Sequence, residues 1–372
     1  MPSTPSRYPS RRGITRRWGP VTAIAAAACG LIAACGSSGG GSGGPASPAG
    51  AAPAADQASI TLYSGQHPQT TQNLVKAFEQ KTGITVKIRS DDEDALANQM
   101  VTEGSRSPAD VFFTENTPPL EELHDHGLLS KINASTLALE PAKYSSPTGD
   151  WAGVSARVSV IVYNPKLISA SQLPTTLRQF GDPKYGGKLA LAPQETDFQP
   201  IVTSALKYFG QSGAMSWLKA IKANAAGGHI YPDNEAVVDK VNQGQVAFGV
   251  INQYYYYRLK AEIGAAKVHA QIQHFAPGDA GYVIDVSGVG ILRSSKEQAA
   301  DQKFVAFLLS KQGQEIIGNP AESISYEYPI ASGVVSQAAE TPLADLKPNK
   351  MTLDDLGNGS VAIDLMRQAG LL

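Results

Sequence analysis

Cysteine is almost missing from this chain. Only Cys29 and Cys35 occur in 372 residues, and both lie near the N-terminus. The remaining sequence has no thiol for a disulfide, a C-x-x-C redox pair or a sulfur-bound zinc. Charge is sparse too: Asp, Glu, Lys and Arg make up 17%, with a net charge of −2. No basic run tracks a phosphate backbone, so no nucleic-acid partner is expected. Outside the Gly/Ser stretch at 36–44, G-x-S-x-G, a P-loop and H-E-x-x-H are all absent. Without a nucleophile for a base to activate, the chain is not expected to be an enzyme. No internal repeat is present.

What is there begins with an export signature. Arg11, Arg12, Arg16 and Arg17 precede an apolar stretch from about Val21 to Ala34. This is the charged and apolar order of a signal peptide, too short for a membrane span. Ile32-Ala33-Ala34-Cys35-Gly36 resembles a lipobox, which makes 1–34 the signal peptide and Cys35 the lipidation site. Ser10-Arg11-Arg12-Gly13-Ile14 also resembles a twin-arginine signal, leaving the export route open. Residues 35–57 are a Gly/Ser/Pro/Ala linker, a flexible tether that cannot build a core. The expected location is the outer face of the cytoplasmic membrane, held there by lipid.

The densest chemistry lies at Tyr254-Tyr255-Tyr256-Tyr257, four consecutive tyrosines in a chain with 14. Neither a helix nor a strand can bury four adjacent side chains on one face. They follow an apolar run, Val246 to Ile251, that reads as a buried strand, and precede a helical pattern stopped by Gly264. In open α/β sheets such strand ends are where ligands bind. Phenols converging there suit a stacked sugar or cation, or a hard metal bound by phenolate oxygen. Upstream, strands at Ser59–Tyr63, Ile84–Ile88 and Ala109–Phe113 alternate with helices at Gln69–Thr82 and Glu93–Glu103. This alternation predicts βαβ units and a mostly parallel sheet. His67 and Glu115 fall just past the first and third strands, where they can converge on a ligand. A second α/β set, with helices at Ile201–Phe209 and Met215–Ala223, carries the tyrosines. Two α/β lobes with ligand groups on facing edges describe a clamshell that closes by hinge motion.

From about Ile60 to Val334 the chain resembles the ferric-ion-binding proteins of bacterial iron ABC transporters. The matching stretches are Tyr63-Ser64-Gly65-Gln66-His67, Gly104 to Phe112, Val162-Tyr163, Ile251 to Tyr255, Lys303 to Leu308 and Tyr328-Pro329. The resemblance implies an α/β, two-lobed, type II periplasmic-binding-protein clamshell with a hinge and an interlobe cleft. The expected division is 58–158 plus about 284–333 for lobe 1, and about 159–283 plus 334–372 for lobe 2. It also implies that Fe³⁺ is the transported ligand, held by His67, Glu115, Tyr254 and Tyr255. Three anionic oxygens and a neutral imidazole suit a hard cation, leaving two octahedral positions for an anion or water.

Phosphate-binding members of that family use a small Ser-Gly-Ala-type turn where this chain has Gln194-Glu195-Thr196-Asp197. Two carboxylates there would repel phosphate. The expectation is therefore that Glu195 or Asp197 supplies a fifth ligand, or that the anion is carbonate or citrate. Asn116, Asn234 and Asn252 match positions around that anion. Arg157 is a candidate partner for Glu115 or a tyrosinate, and His124 with His126 reads as a solvated helix end. The implied partners are an ABC permease and its ATPase, with the chain itself a monomer. Two alternatives stay open: a same-fold protein for a small organic solute (phosphonate, thiamine-like cation or polyamine), and an exported metal-dependent hydrolase. The second lacks a nucleophile and a second metal site.

Overall fold

A short strand, β1 (Ser59–Ser64), leads through Gly65, Gln66 and His67 into α1 (Pro68–Thr82). Pro68 pre-sets the first helical turn. Gly83, in the left-handed region at φ 73, ends the helix by returning its N–H to the Glu79 carbonyl. The computed structural model describes residues 58–372 apart from 339, so the expected signal peptide, Cys35 and the expected linker lie outside the described residues. No helix among the described residues is long and apolar enough to cross a membrane.

After α1 come β2 (Thr85–Ser90) and α2 (Glu93–Glu103), the latter capped by the Asp92 carboxylate, which accepts from the Ala95 N–H. Then follow β3 (Val111–Phe113), α3 (Pro118–Asp125), α4 (Ala134–Leu137) and β4 (Trp151–Tyr163), which is buried along its whole length. Next are β5 (Leu189–Ala190), α5 (Gln199–Asn224), α6 (Asn234–Asn242), β6 (Phe248–Asn252) and α7 (Gln253–Ile263). The chain ends with β7 (Gln271–Gln273), β8 (Ile284–Ile291), α8 (Gln298–Leu308), α9 (Lys311–Gly318), β9 (Tyr328–Pro329) and α10 (Ser360–Ala369). The two helices expected at 201–209 and 215–223 are both present, as the two halves of α5 on either side of a break at Gly210 (φ 69, ψ 169).

The strand order is β2-β1-β3-β8-β4-β6-β5, with β7 and β9 also on β4. Pairs β1/β2, β1/β3 and β5/β6 are parallel, whereas β8 and β4 pair antiparallel with their neighbours. The sheet is therefore mixed, not mostly parallel as expected. The reason is β4: it pairs with β8 from Trp151 to Val158 and with β6 from Ser159 to Tyr163. One long strand thus links two sheets that helical crossovers alone could not join.

Alternation sorts side chains to either face of the sheet. Ile60, Leu62, Val111 and Phe113 join one apolar core with Phe78 and Phe304, while Tyr63 and Phe112 join the other. Phe78 meets Phe304 edge-on at 5.0 Å. Such pairs add about 0.5–1.5 kcal/mol beyond burial. β1 and β3 lie side by side and end before His67 and Glu115, while β6, beyond β8 and β4 in the sheet order, ends before the tyrosines.

Candidate metal centre

His67 sits at the N-cap of α1 and is 6% exposed. The preceding turn packs on α2 so closely that a Cβ at Gly65 would fall on Glu93, which explains glycine there. His67 Nδ1 lies 2.5 Å from Gln66 Oε1 and 3.3 Å from Glu115 Oε1. Its Nε2 accepts from Arg258 Nη1 at 2.6 Å. Arg258 also pairs with Glu235 at 3.4 Å.

Glu115 follows β3 in a turn whose backbone is held by one carboxylate. Glu93 accepts from the Glu115 and Asn116 N–H groups at 2.6 and 3.1 Å, and from Asn116 Nδ2 at 2.9 Å. Burial first, then the charges of Glu115 and Asp94, push the Glu93 carboxyl well above its ordinary range.

Tyr254 and Tyr255 occupy the first turn of α7, with ring centroids 4.1 Å apart. Both hydroxyls donate to the same atom, Asp197 Oδ2, at 2.9 and 2.8 Å. Asp197 also receives Asn234 Nδ2 at 3.3 Å and Arg157 Nη1 at 3.4 Å. Burial, followed by the Asp197 charge, holds both phenols well above their ordinary value. They are neutral at physiological pH until a stronger cation arrives.

Beneath the tyrosines, Arg157 is fully buried, 5.4 Å from the Tyr254 ring, and paired with Glu327. Burial opposes its charge, but Glu327, Tyr254 and Asp197 outweigh it and keep the guanidinium protonated. Burial pushes the Glu327 carboxyl up to about 7 against the pull of Arg157. Stripping one partner from such a buried pair costs about 3–5 kcal/mol.

The structure thus gathers His67, Glu115, Asn116, Asp197, Asn234, Tyr254 and Tyr255. Glu195 is half-buried two residues before Asp197 and adds charge near Tyr255. Asn252 is buried at the N-cap of α7 without a capping side-chain bond. His124 instead bonds Asp150 at 2.7 Å and His126 bonds Glu122 at 3.2 Å. Among the described residues, no three His, Cys, Asp or Glu side chains form a metal cluster by themselves. The phenol oxygens of Tyr254 and Tyr255 lie beside these groups.

Sequence reasoning missed Glu93, Arg258, Glu235 and Glu327. Arg258 was within reach: it lies four residues after Tyr254 on the same helix, and such pairs share a face. The others carry no local signal.

The family model for bacterial extracellular solute-binding proteins matches residues 64–315. The chain is 38% identical over 318 residues to the Fe(3+)-binding periplasmic protein of Serratia marcescens, covering 86% of this chain and 92% of that one. It is 34% identical over 316 residues to the major ferric iron-binding protein of Neisseria meningitidis, covering 84% and 93%. Among solved structures, iron-bound HitA from Pseudomonas aeruginosa superposes with a TM-score of 0.79 at 41% identity, over 84% of this chain and 99% of that one. The Trichodesmium protein IdiA (FutA), solved with iron and citrate, gives 0.71 at 28% identity, over 84% and 100%.

Proposed function

This chain belongs to the bacterial extracellular solute-binding proteins, and we propose that it captures ferric iron between two lobes and delivers it to an ABC permease. The observation that carries this reading is the pair of adjacent phenols sharing one carboxylate, with an imidazole and Glu115 alongside. An organic solute would not need that set of hard donors. We assign Fe³⁺ to His67, Glu115, Tyr254 and Tyr255. Asp197, already on both phenols, paired with Arg157 and hydrogen-bonded by Asn234, supplies the fifth ligand from the protein. Carbonate or citrate fills what remains, and phosphate is kept out by the carboxylate in its place.

The capture chemistry follows from the donors. A trivalent cation displaces the phenolic protons that Asp197 and burial otherwise retain. Arg258, now on His67 Nε2, yields that nitrogen and keeps Glu235 as its partner. The change of partner along β4 between Val158 and Ser159 supports a hinge there, with the return crossing near 283–284. This reading divides the chain into 58–158 plus about 284–333, and about 159–283 plus 334–372. The protein acts as an exported binding protein and not as an enzyme. It works as a monomer anchored through Cys35, with the permease and its ATPase as partners.

The test is iron retained after desalting in phosphate-free buffer, following exposure to ferric citrate. The wild-type chain keeps its iron. Asp197→Asn keeps less by about tenfold or more, since losing even an outer-shell partner of a ligand costs about 10–100-fold, and regains it with added phosphate. Wild-type binding that depends absolutely on phosphate would contradict the assignment of Asp197.

A further inference from the structure

Gln66 is 1% exposed, and every polar atom of its side chain has a partner. The polarity of these bonds can be worked out from groups whose role is fixed. Ser287 Oγ donates to the Thr114 carbonyl at 2.6 Å, so it can only accept from Gln66 Nε2 at 2.7 Å. The same Nε2 lies 3.2 Å from Glu327 Oε2, which already accepts from Ser155 Oγ at 2.6 Å. Arg157 donates to the other oxygen of Glu327. The amide NH₂ of Gln66 therefore faces two acceptors, and its oxygen must face His67. The His67 backbone N–H agrees, donating to that oxygen at 2.6 Å. A flipped amide would set an oxygen against a carboxylate and a hydroxyl lone pair.

With Gln66 Oε1 as a pure acceptor, His67 Nδ1 must carry the proton. The far side of the ring says the same independently. Arg258 can only donate, so Nε2 must be the bare nitrogen. One residue before Glu327, Tyr326 is held at φ 56, a left-handed conformation that a non-glycine residue rarely adopts. Its carbonyl accepts from Gln253 Nε2 at 3.2 Å. The fold thus tolerates local strain where Glu327 is aimed inward.

We propose that Gln66, oriented by Ser287 and the Arg157–Glu327 pair, is a positioning residue that locks His67 as the Nδ1–H tautomer and presents Nε2 to the metal. The metal half of this statement rests on the ferric reading above; the tautomer half does not. Because Arg157 also touches Asp197 at 3.4 Å, one guanidinium orients the imidazole on one side and the acceptor of both phenols on the other.

The test is the ¹⁵N–¹H long-range spectrum of the full chain labelled with ¹⁵N-histidine and free of iron, with the His67 signals assigned by their loss in His67→Gln. The wild-type spectrum shows Nδ1 protonated and Nε2 bare. Gln66→Met shifts His67 toward mixed tautomers and weakens Fe³⁺ binding on the order of 10–100-fold. Glu115→Ala, which removes the other acceptor near Nδ1, leaves the tautomer in place. Should Gln66→Met fail to fold, Ser287→Ala removes one orienting acceptor, and a partial shift toward mixed tautomers is expected. An unchanged tautomer in Gln66→Met, or in Ser287→Ala where that variant stands in for it, or an Nε2–H wild type, overturns the proposal. A tautomer that shifts in a protein that binds no iron would sink the ferric reading and leave the relay standing.

Discussion

His67 and the tyrosine pair are both buried donors at a strand-to-helix junction, yet their protons are handled in opposite ways. On the imidazole side, Gln66 accepts from the protonated Nδ1, and Arg258 donates to the bare Nε2. On the phenol side, both protons stay in place, donated to Asp197 in a setting that pushes both groups upward. On the proposed reading, the imidazole needs no proton removed and only its contact with Arg258 given up. The phenols must give up protons, so they set the dependence of binding on pH. Arg157 connects them, through Glu327 on one side and Asp197 on the other.

The strongest way to break this comparison is to remove the connection. Arg157→Leu leaves Glu327 buried without its counter-charge and should cost about 3–5 kcal/mol of stability in denaturant unfolding. A loss below 1 kcal/mol would mean that the halves do not share this support. The next largest effect is on pH. If two phenols deprotonate on binding, iron affinity rises with pH by about a hundredfold per unit, and acidification weakens it. Competition with a chelator at several pH values measures this, and a flat profile between mild acid and neutrality would contradict tyrosinate binding.

The smallest effect lies outside both halves and serves as a control. Burial pushes Glu140 up to about 8, so in the folded chain it is neutral where the unfolded chain is ionised. A raised carboxyl favours folding less as pH climbs from 4.5 towards 8, at up to about 1.4 kcal/mol per unit. Glu140→Gln should remove that part of the slope in the pH dependence of Tm while leaving iron affinity unchanged. A change in iron affinity there would show that buried carboxyls act on the centre from a distance.

The three positions that meet at the centre were legible because each follows a strand end, where alternating apolar residues stop and polar ones begin. The tyrosines announced themselves by being too many for one buried face. The sheet was harder. Local alternation of strands and helices captured β1, β2 and β3, but the partner change along β4 depends on β6 and β8, roughly a hundred residues away. The supporting charges were illegible for the same reason. Gln66 and Glu327 are 261 residues apart, and nothing near Glu327 marks it as the residue that orients a glutamine beside a histidine. Of the two carboxylates flagged in the 194–197 turn, only packing could separate Asp197, which reaches the phenols, from Glu195.

The central claim is that the phenols bind iron as phenolates. Its most direct test is the visible absorption spectrum of the full chain, in detergent, titrated with ferric citrate. The expected result is a tyrosinate-to-iron charge-transfer band that saturates with iron and vanishes in Tyr254→Phe/Tyr255→Phe. No band in the wild-type protein, or an unchanged band in the double variant, would contradict it.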